Sequence, residues 1–238
     1  MTVAIPSKGR PNRVKSQKVI PSARVFVPAV EADSYRHCGV KNVVAVPDSV
    51  AGITRTRNWI LEHTDDPHVV FVDDDVKACG WFELYPENGR IRHLRPEEWL
   101  TEFTKLFAIT EQLNYRLWGL GTDGALRNVY PYKPFLFHSY VTGSCMGLIN
   151  RAGLRFDESF PVKEDYELCL RCIRDDGGVL AARYLFFSTN DWSDRGGCRE
   201  YRTQAMEERA TNELMTRFPG FIRRVTRGGS QYSIELDF

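Results

Sequence analysis

Val69-Val70-Phe71-Val72-Asp73-Asp74-Asp75 is an unbroken apolar run that ends in three consecutive carboxylates. Four large apolar residues in a row read as a strand buried on both faces, the kind that a parallel sheet places near its centre. Three like charges at its tip repel one another and carry a desolvation cost, which a fold tolerates where something cationic meets them. Successive side chains of a strand point to opposite faces. If the chain stays extended, Asp73 and Asp75 therefore share one side and Asp74 takes the other. Hard carboxylate oxygens that converge suit Mg²⁺ or Mn²⁺, and Mg²⁺ prefers one or two protein carboxylates plus substrate phosphates to an all-protein cage. The competing reading is that the acids only cap the next helix or form a solvated turn.

Upstream of this tip, strand and helix alternate. Val3 to Pro6 is a short apolar run broken by Ser7-Lys8-Gly9-Arg10-Pro11, which predicts a strand and a loop. Arg24 to Pro28 and Asn42 to Pro47 read as strands, with a short helix over Glu31 to Cys38 between them. Ser49 to His63 carries Val50, Ile53, Arg57, Ile60 and Leu61 at helical spacing. That rhythm predicts a parallel, doubly wound sheet with ligands beyond the carboxyl ends of its strands. The second half reads as mixed. Pro96 to Leu113 forms an amphipathic helix with Trp99, Phe103, Leu106, Phe107, Thr110 and Leu113 on one stripe. Arg116 to Gly121, Phe135 to Asn150 and Val179 to Ser188 read as strands. Glu164 to Asp175 and Glu200 to Phe218 read as helices, and Tyr232 to Leu236 as a last strand after Gly228-Gly229. No internal repeat or low-complexity segment interrupts the 238 residues.

Composition narrows the class further. With 42% hydrophobic and 26% charged residues the chain is globular in character, and no apolar run approaches the roughly 20 residues that span a bilayer. No signal peptide is visible after Met1, so a cytoplasmic location and no membrane partner are expected. Six scattered cysteines, Cys169-x-x-Cys172 included, read as free thiols in the core rather than as a disulfide framework or a zinc site. A formal net charge of +1 neither demands nor excludes nucleic acid. Lys8, Arg10, Arg13, Lys15, Lys18 and Arg24 form one basic patch, and Arg217, Arg223, Arg224 and Arg227 another; each suits phosphate or a solvated face. His37, His63, His68, His93 and His138 lack metal-ligand spacing to one another.

Four motifs occur in a telling order: Val3-Ala4-Ile5-Pro6-Ser7-Lys8-Gly9-Arg10, then Arg55-Thr56-Arg57-Asn58, then Asp73-Asp74-Asp75, then Glu164-Asp165 at a helix start. This order, over residues 3 to about 200, resembles the nucleotide-sugar glycosyltransferases of the GT-A fold. The Ile-Pro-Ser-Lys-Gly-Arg opening and the compact length more narrowly resemble the TET/JBP-associated glycosyltransferases, a phage and kinetoplastid family acting on hydroxymethylated pyrimidines in DNA. The resemblance implies an α/β, GT-A-like (Rossmann-like) fold with a mostly parallel sheet flanked by helices and a mixed second half. It implies one domain over 1–238, with a nucleotide-binding half (1–75), an acceptor-side half (76–200) and a C-terminal helix and tail (201–238).

The resemblance also assigns roles. Pro6 and Ser7 would flank the donor base, Lys8, Arg10 and Arg57 would lie near ribose and diphosphate, and Asp73 would reach the donor. Asp73 and Asp75 would hold Mn²⁺ or Mg²⁺ against a departing diphosphate, with Asp191 as a further ligand beside Asn190 and Asp194. Asp165 would be the general base of an inverting transfer. The same acid pair at a helix start also suits simple capping, because the helix dipole stabilises anions there. The implied donor is a UDP-glucose-like nucleotide sugar and the implied acceptor a 5-hydroxymethylcytosine-type base in DNA, in a host cytoplasm if the chain is encoded by a bacteriophage. The alternatives are a GT-A transferase acting on a glycan, protein or small molecule, and a non-catalytic nucleotide-sugar or nucleic-acid binding module. The aromatic stretch Tyr130 to Tyr140 suits either a pocket for an extruded base or ordinary core, and the small residues of Thr142 to Gly147 suit close approach of a substrate.

Overall fold

The computed structural model describes residues 1–83, 90–122, 133–189, 202–227 and 230–237. Strands β1 (Thr2–Pro6), β2 (Arg24–Pro28), β3 (Val43–Val46) and β4 (His68–Val72) pair in parallel in the order β3-β2-β1-β4. Between them lie α1 (Ser16–Val19), α2 (Ala32–His37) and α3 (Ile53–Glu62). The sheet continues past β4 through β9 (Cys145–Ile149), β7 (Leu117–Thr122), β10 (Leu180–Ser188), β5 (Ala78–Glu83) and β6 (Arg90–His93), with β8 (Phe135–Leu136) also on β10. This half is mixed: β9 runs antiparallel to both β4 and β7, whereas β7 and β10 are parallel.

Strand β4 lies in the sheet's interior, between β1 and β9, and its side chains show why. Val70 and Val72 pack into a cluster with Trp99, Phe103, Leu106 and Phe107 of α4 (Pro96–Gln112). Val69 and Phe71 pack on the opposite face with Ile60 and Leu61 of α3 and with Leu168, Cys169 and Cys172 of α5 (Glu164–Asp176). None of these four β4 residues is more than 1% exposed, so a continuous apolar run is what both helical layers require. Glycine makes the neighbouring strand possible: a Cβ on Gly147 of β9 would stand 2.1 Å from the Trp118 ring of β7.

Helix α4 begins where its sequence directs. Pro96 opens α4 and the Glu98 carboxylate accepts from the Arg95 amide (2.8 Å), closing a capping box. A third cluster joins Phe160, Val162 and Leu170 to Ala210 and Leu214 of α6 (Gln204–Arg217), to Phe218 just after it, and to Ile222 and Ile234 of the hairpin β11–β12 (Ile222–Arg227, Ser230–Leu236). No helix among the described residues is long and apolar enough to cross a membrane.

Two readings of the sequence need correction. The single strand expected over Phe135 to Asn150 is two strands, β8 and β9, separated by a loop over 137–144. The β5–β6 hairpin and β11 were not anticipated, because neither carries strict apolar-polar alternation. Cys169 and Cys172 are buried thiols in the core, and Cys38, Cys79 and Cys145 are also free.

Candidate active site

The strand ends at Val72 and the chain turns at Asp74 and Asp75, with the Val76 amide donating to the Asp73 carbonyl (3.4 Å). Asp73 and Asp74 still point to opposite sides. Asp74 follows Val70 and Val72 toward the loop after β1, where its carboxylate accepts from Ser7 Oγ (2.5 Å) and pairs with Arg10 (2.9 Å). Tyr35 Oη lies 2.8 Å from the same Ser7 hydroxyl and accepts from the Arg10 amide (3.1 Å), which ties α2 into the loop. The amides of Lys15 and Ser16 donate to the Asp74 carbonyl (2.8 and 3.3 Å), and Ser16 Oγ donates to the Asp73 carbonyl. The acidic turn is therefore fastened by α1 and by the loop over Ser7 to Arg10. Pro6 and Ser7 are buried there, whereas Lys8 is exposed.

Asp73 follows Val69 and Phe71 toward α3 and α5. Its carboxylate meets Arg57 Nη2 at 3.4 Å, and its amide donates to the Ser144 carbonyl (3.0 Å). Arg57 is only 2% exposed. It lies against the rings of Phe71 and Phe156 (5.7 and 5.4 Å to the centroids) and donates to Glu164 Oε1 (2.8 Å) and to the Gly143 carbonyl (2.8 Å). Its guanidinium thus joins the acidic turn to the first residue of α5. Helix α3 reinforces that link: Thr54 Oγ1 donates to the Phe160 carbonyl (2.8 Å), and the Asn58 amide exchanges two hydrogen bonds with the backbone of Phe156 (2.8 and 2.9 Å). Arg55 points outward to Glu158 (3.2 Å).

Asp165 sits beside Glu164 in the first turn of α5. Its Oδ2 accepts from the Gly143 amide (2.9 Å) and from the Tyr140 hydroxyl, and its Oδ1 accepts from the Tyr166 amide (2.9 Å). Gly143 is closely approached: a Cβ would stand 3.0 Å from both Arg57 terminal nitrogens and 3.3 Å from Asp165 Oδ2. The close approach foreseen from the small residues at 142–147 is thus filled by Arg57 and Asp165. Lys163 precedes the helix with φ 59° and pairs with Glu207 of α6 (2.9 Å), which also holds Arg202.

Carboxylates crowd together among these residues. Desolvation, then the charges of Asp73 and Asp74, push the Asp75 carboxyl up to about 6. Desolvation also raises Asp73 more than Arg57 lowers it, and burial with the Asp165 charge raises Glu164. Glu207 stays below its ordinary value: its burial is more than offset by Arg202 and Lys163. Among the described residues no three His, Cys, Asp or Glu side chains form a metal-holding group by themselves. Asp191, with Asn190 and Asp194, lies outside the described residues, as do Arg127, Tyr130 and Tyr132. His138 bonds the Gly177 carbonyl at the far end of α5 (3.0 Å).

Sequence reasoning brought Asp73, Asp75, Arg57 and Asp165 forward and named Tyr140 as pocket or core, but missed Tyr35, the bond from Tyr140 to Asp165 and the Glu164 contact to Arg57. The inward position of Arg57 was visible in its spacing. Its partners lie up to 107 residues away, and no local signal names them.

A family model for TET-associated glycosyltransferases matches residues 1–193. The chain belongs to that family. It is accordingly a glycosyltransferase, and its fold has solved counterparts. It is similar to Mycobacterium tuberculosis glucosyl-3-phosphoglycerate synthase in complex with Mg²⁺ and UDP (15% identity, TM-score 0.54, covering 99% of this chain and 86% of that one). It is also similar to the mannosyltransferase PcManGT of Pyrobaculum calidifontis with GDP-Man and Mn²⁺ (12%, 0.53, 90% and 61%) and to residues 1–349 of S. aureus TarS with UDP-GlcNAc (10%, 0.51, 90% and 67%). At these identities the likeness is one of fold, GT-A. No curated relative matches the sequence.

Proposed function

We propose that this glycosyltransferase moves a hexose from a nucleotide-diphosphate sugar to a hydroxymethylated pyrimidine in DNA, with inversion at the anomeric carbon. The observation that carries the reading is the Arg57 contact set, which fastens the acidic turn after β4 to the helix start bearing Glu164 and Asp165. Donor-side acids and a candidate base are thereby held on either side of one buried cation. The family match supports the acceptor class, and the UDP and GDP-Man bound by structural neighbours support the donor class.

A divalent ion fits the turn. Among the described residues Asp73 and Asp74 pair directly with Arg57 and Arg10, and the Asp75 carboxyl is raised first by burial and then by the charges of Asp73 and Asp74. Asp73 and Asp75 would hold the ion, with diphosphate oxygens completing its shell. Bound there, it would neutralise charge developing on the departing diphosphate. Pro6 and Ser7 would line the nucleotide side, and Lys8 and Arg10 would stand at its rim. Arg57 would act on the diphosphate through Asp73, since its guanidinium is already engaged with protein carboxylates. Asp165 would take the proton of the acceptor hydroxyl as its oxygen attacks the anomeric carbon and the bond to the diphosphate breaks on the opposite face.

The test is incubation with hydroxymethylcytosine DNA and a panel of nucleotide sugars, read by nucleoside mass spectrometry and by the anomeric configuration of the product. A hexose adduct is expected. An adduct on carbohydrate acceptors alone would remove DNA as acceptor and keep the transfer chemistry, and no adduct on any acceptor would remove both. Asp75→Ala should abolish Mn²⁺-stimulated donor binding in calorimetry, whereas Asp165→Asn should bind donor and lose turnover.

A further inference from the structure

The geometry points to Tyr140 as a positioning residue that holds the Asp165 carboxylate in place. The inference rests on the reading of Asp165 as the base. Tyr140 comes from the loop between β8 and β9, and its hydroxyl donates to the same Oδ2 that accepts from the Gly143 amide. Two donors from one loop on a single oxygen, with the Tyr166 amide on the other, leave the carboxylate little rotational freedom. Hydrogen bonds made to the charged form also favour that form.

The tyrosine itself is fixed from behind. Its ring stacks on Tyr166, the residue that follows Asp165, with centroids 4.0 Å apart and planes 16° from parallel. The Lys163 ammonium lies 5.6 Å from the centre of the Tyr166 ring and is anchored by Glu207. Burial, with the Asp165 charge adding, pushes the Tyr140 hydroxyl well above its usual range, so it remains a neutral donor at any working pH. A tyrosine serving only as packing would not need its hydroxyl on a carboxylate at a helix start, where backbone amides already favour the anion.

The experiment compares Tyr140→Phe, which keeps the ring and its stack, with the unaltered chain. Carbon-13 spectra of protein labelled at aspartate carboxyls follow the titration of Asp165, whose signal is assigned by its disappearance in Asp165→Asn. The other charges around Asp165 stay in place in this variant: Glu164 beside it, Asp73 after β4, Arg57 behind Gly143, and Lys163, Arg202 and Glu207 on the α6 side. Loss of one hydrogen bond to the charged form should raise the Asp165 midpoint by about one pH unit. With UDP-glucose and hydroxymethylcytosine DNA, kcat should fall about tenfold while KM for the donor holds, and the acid limb of the rate profile should move up with the midpoint. An unchanged midpoint in a variant that unfolds at the same urea concentration would overturn the assignment. Normal turnover by Asp165→Asn would instead overturn the reading of Asp165 as base, so the two failures are distinct.

Discussion

Removing the cation that joins the two acidic elements should have a large effect with a characteristic pH dependence. Arg57→Met keeps an apolar stem against Phe71 and Phe156 and deletes the guanidinium that serves Glu164, Asp73 and the Gly143 carbonyl. Breaking a buried ion pair from one side costs about 3–5 kcal/mol, because the partner charge remains in a poorly solvated place. Against a total stability of roughly 5–15 kcal/mol the variant should still fold, with a clearly lowered urea midpoint in tryptophan fluorescence. The loss depends on pH. Glu164 is already raised by burial and by the Asp165 charge, with Arg57 the opposing influence. Without Arg57 it rises further, so the folded state binds a proton that the unfolded chain releases at about 4.3. Stability then falls as pH rises through the window between those two values, and the deficit should be greater at pH 8 than at pH 5. Adding Glu164→Gln removes the stranded charge and should recover about 2 kcal/mol at pH 8 as a coupling energy. A deficit under about 1 kcal/mol at pH 8, or no rescue by Glu164→Gln, would show that Arg57 does not join these elements energetically.

Other outcomes follow from single contacts. Gly147→Ala should lower stability by about 1–3 kcal/mol in the same unfolding assay, since its methyl would enter the Trp118 ring and the β7–β9 pairing would have to open. Leu214→Ala in α6 should cost about 2–5 kcal/mol, because Leu214 is fully buried against Phe160 and Leu170, on the segment leading into α5 and on α5 itself. Glu98, held down to about 2 by the Arg95 amide and Arg92, contributes stability that is complete above the unfolded carboxyl value and is lost as pH falls toward 2. The difference in urea midpoint between the unaltered chain and Glu98→Gln should therefore shrink from pH 6 to pH 3, and a constant difference would refute the capping role.

How far the sequence could be read depended on the range of the interaction in question. The apolar run into Asp73 specified a central strand, and its period of two carried Asp73 and Asp74 to opposite sides although the strand itself stops at Val72. Periodicity is a local property, so β1 to β4 and the buried stripe of α4 were visible in it. Phe135 to Asn150 misled for the same reason. Its aromatic and small residues look like strand interior, yet the middle of that stretch is a loop whose Tyr140 and Gly143 are spent on Asp165, over 20 residues away.

The site was legible as a set of residue types and illegible as a set of partners. Three adjacent acids announce a charge problem, but not that the fold gives Asp74 to Arg10 and shares Asp73 with Glu164 through Arg57. That division has a consequence for ligand binding. With Arg10 and Arg57 both engaged by protein carboxylates, a diphosphate arriving alone would meet Asp75, whose carboxyl is raised by burial and by the charges of Asp73 and Asp74. Donor affinity should therefore depend steeply on the divalent ion supplied with it, and more steeply above the Asp75 midpoint of about 6 than below it, where a proton occupies the carboxylate that the ion needs. Calorimetric titration with UDP at pH 5 and pH 8, with and without Mn²⁺, measures that dependence, and equal affinities in all four conditions would remove the electrostatic argument for a metal at this turn.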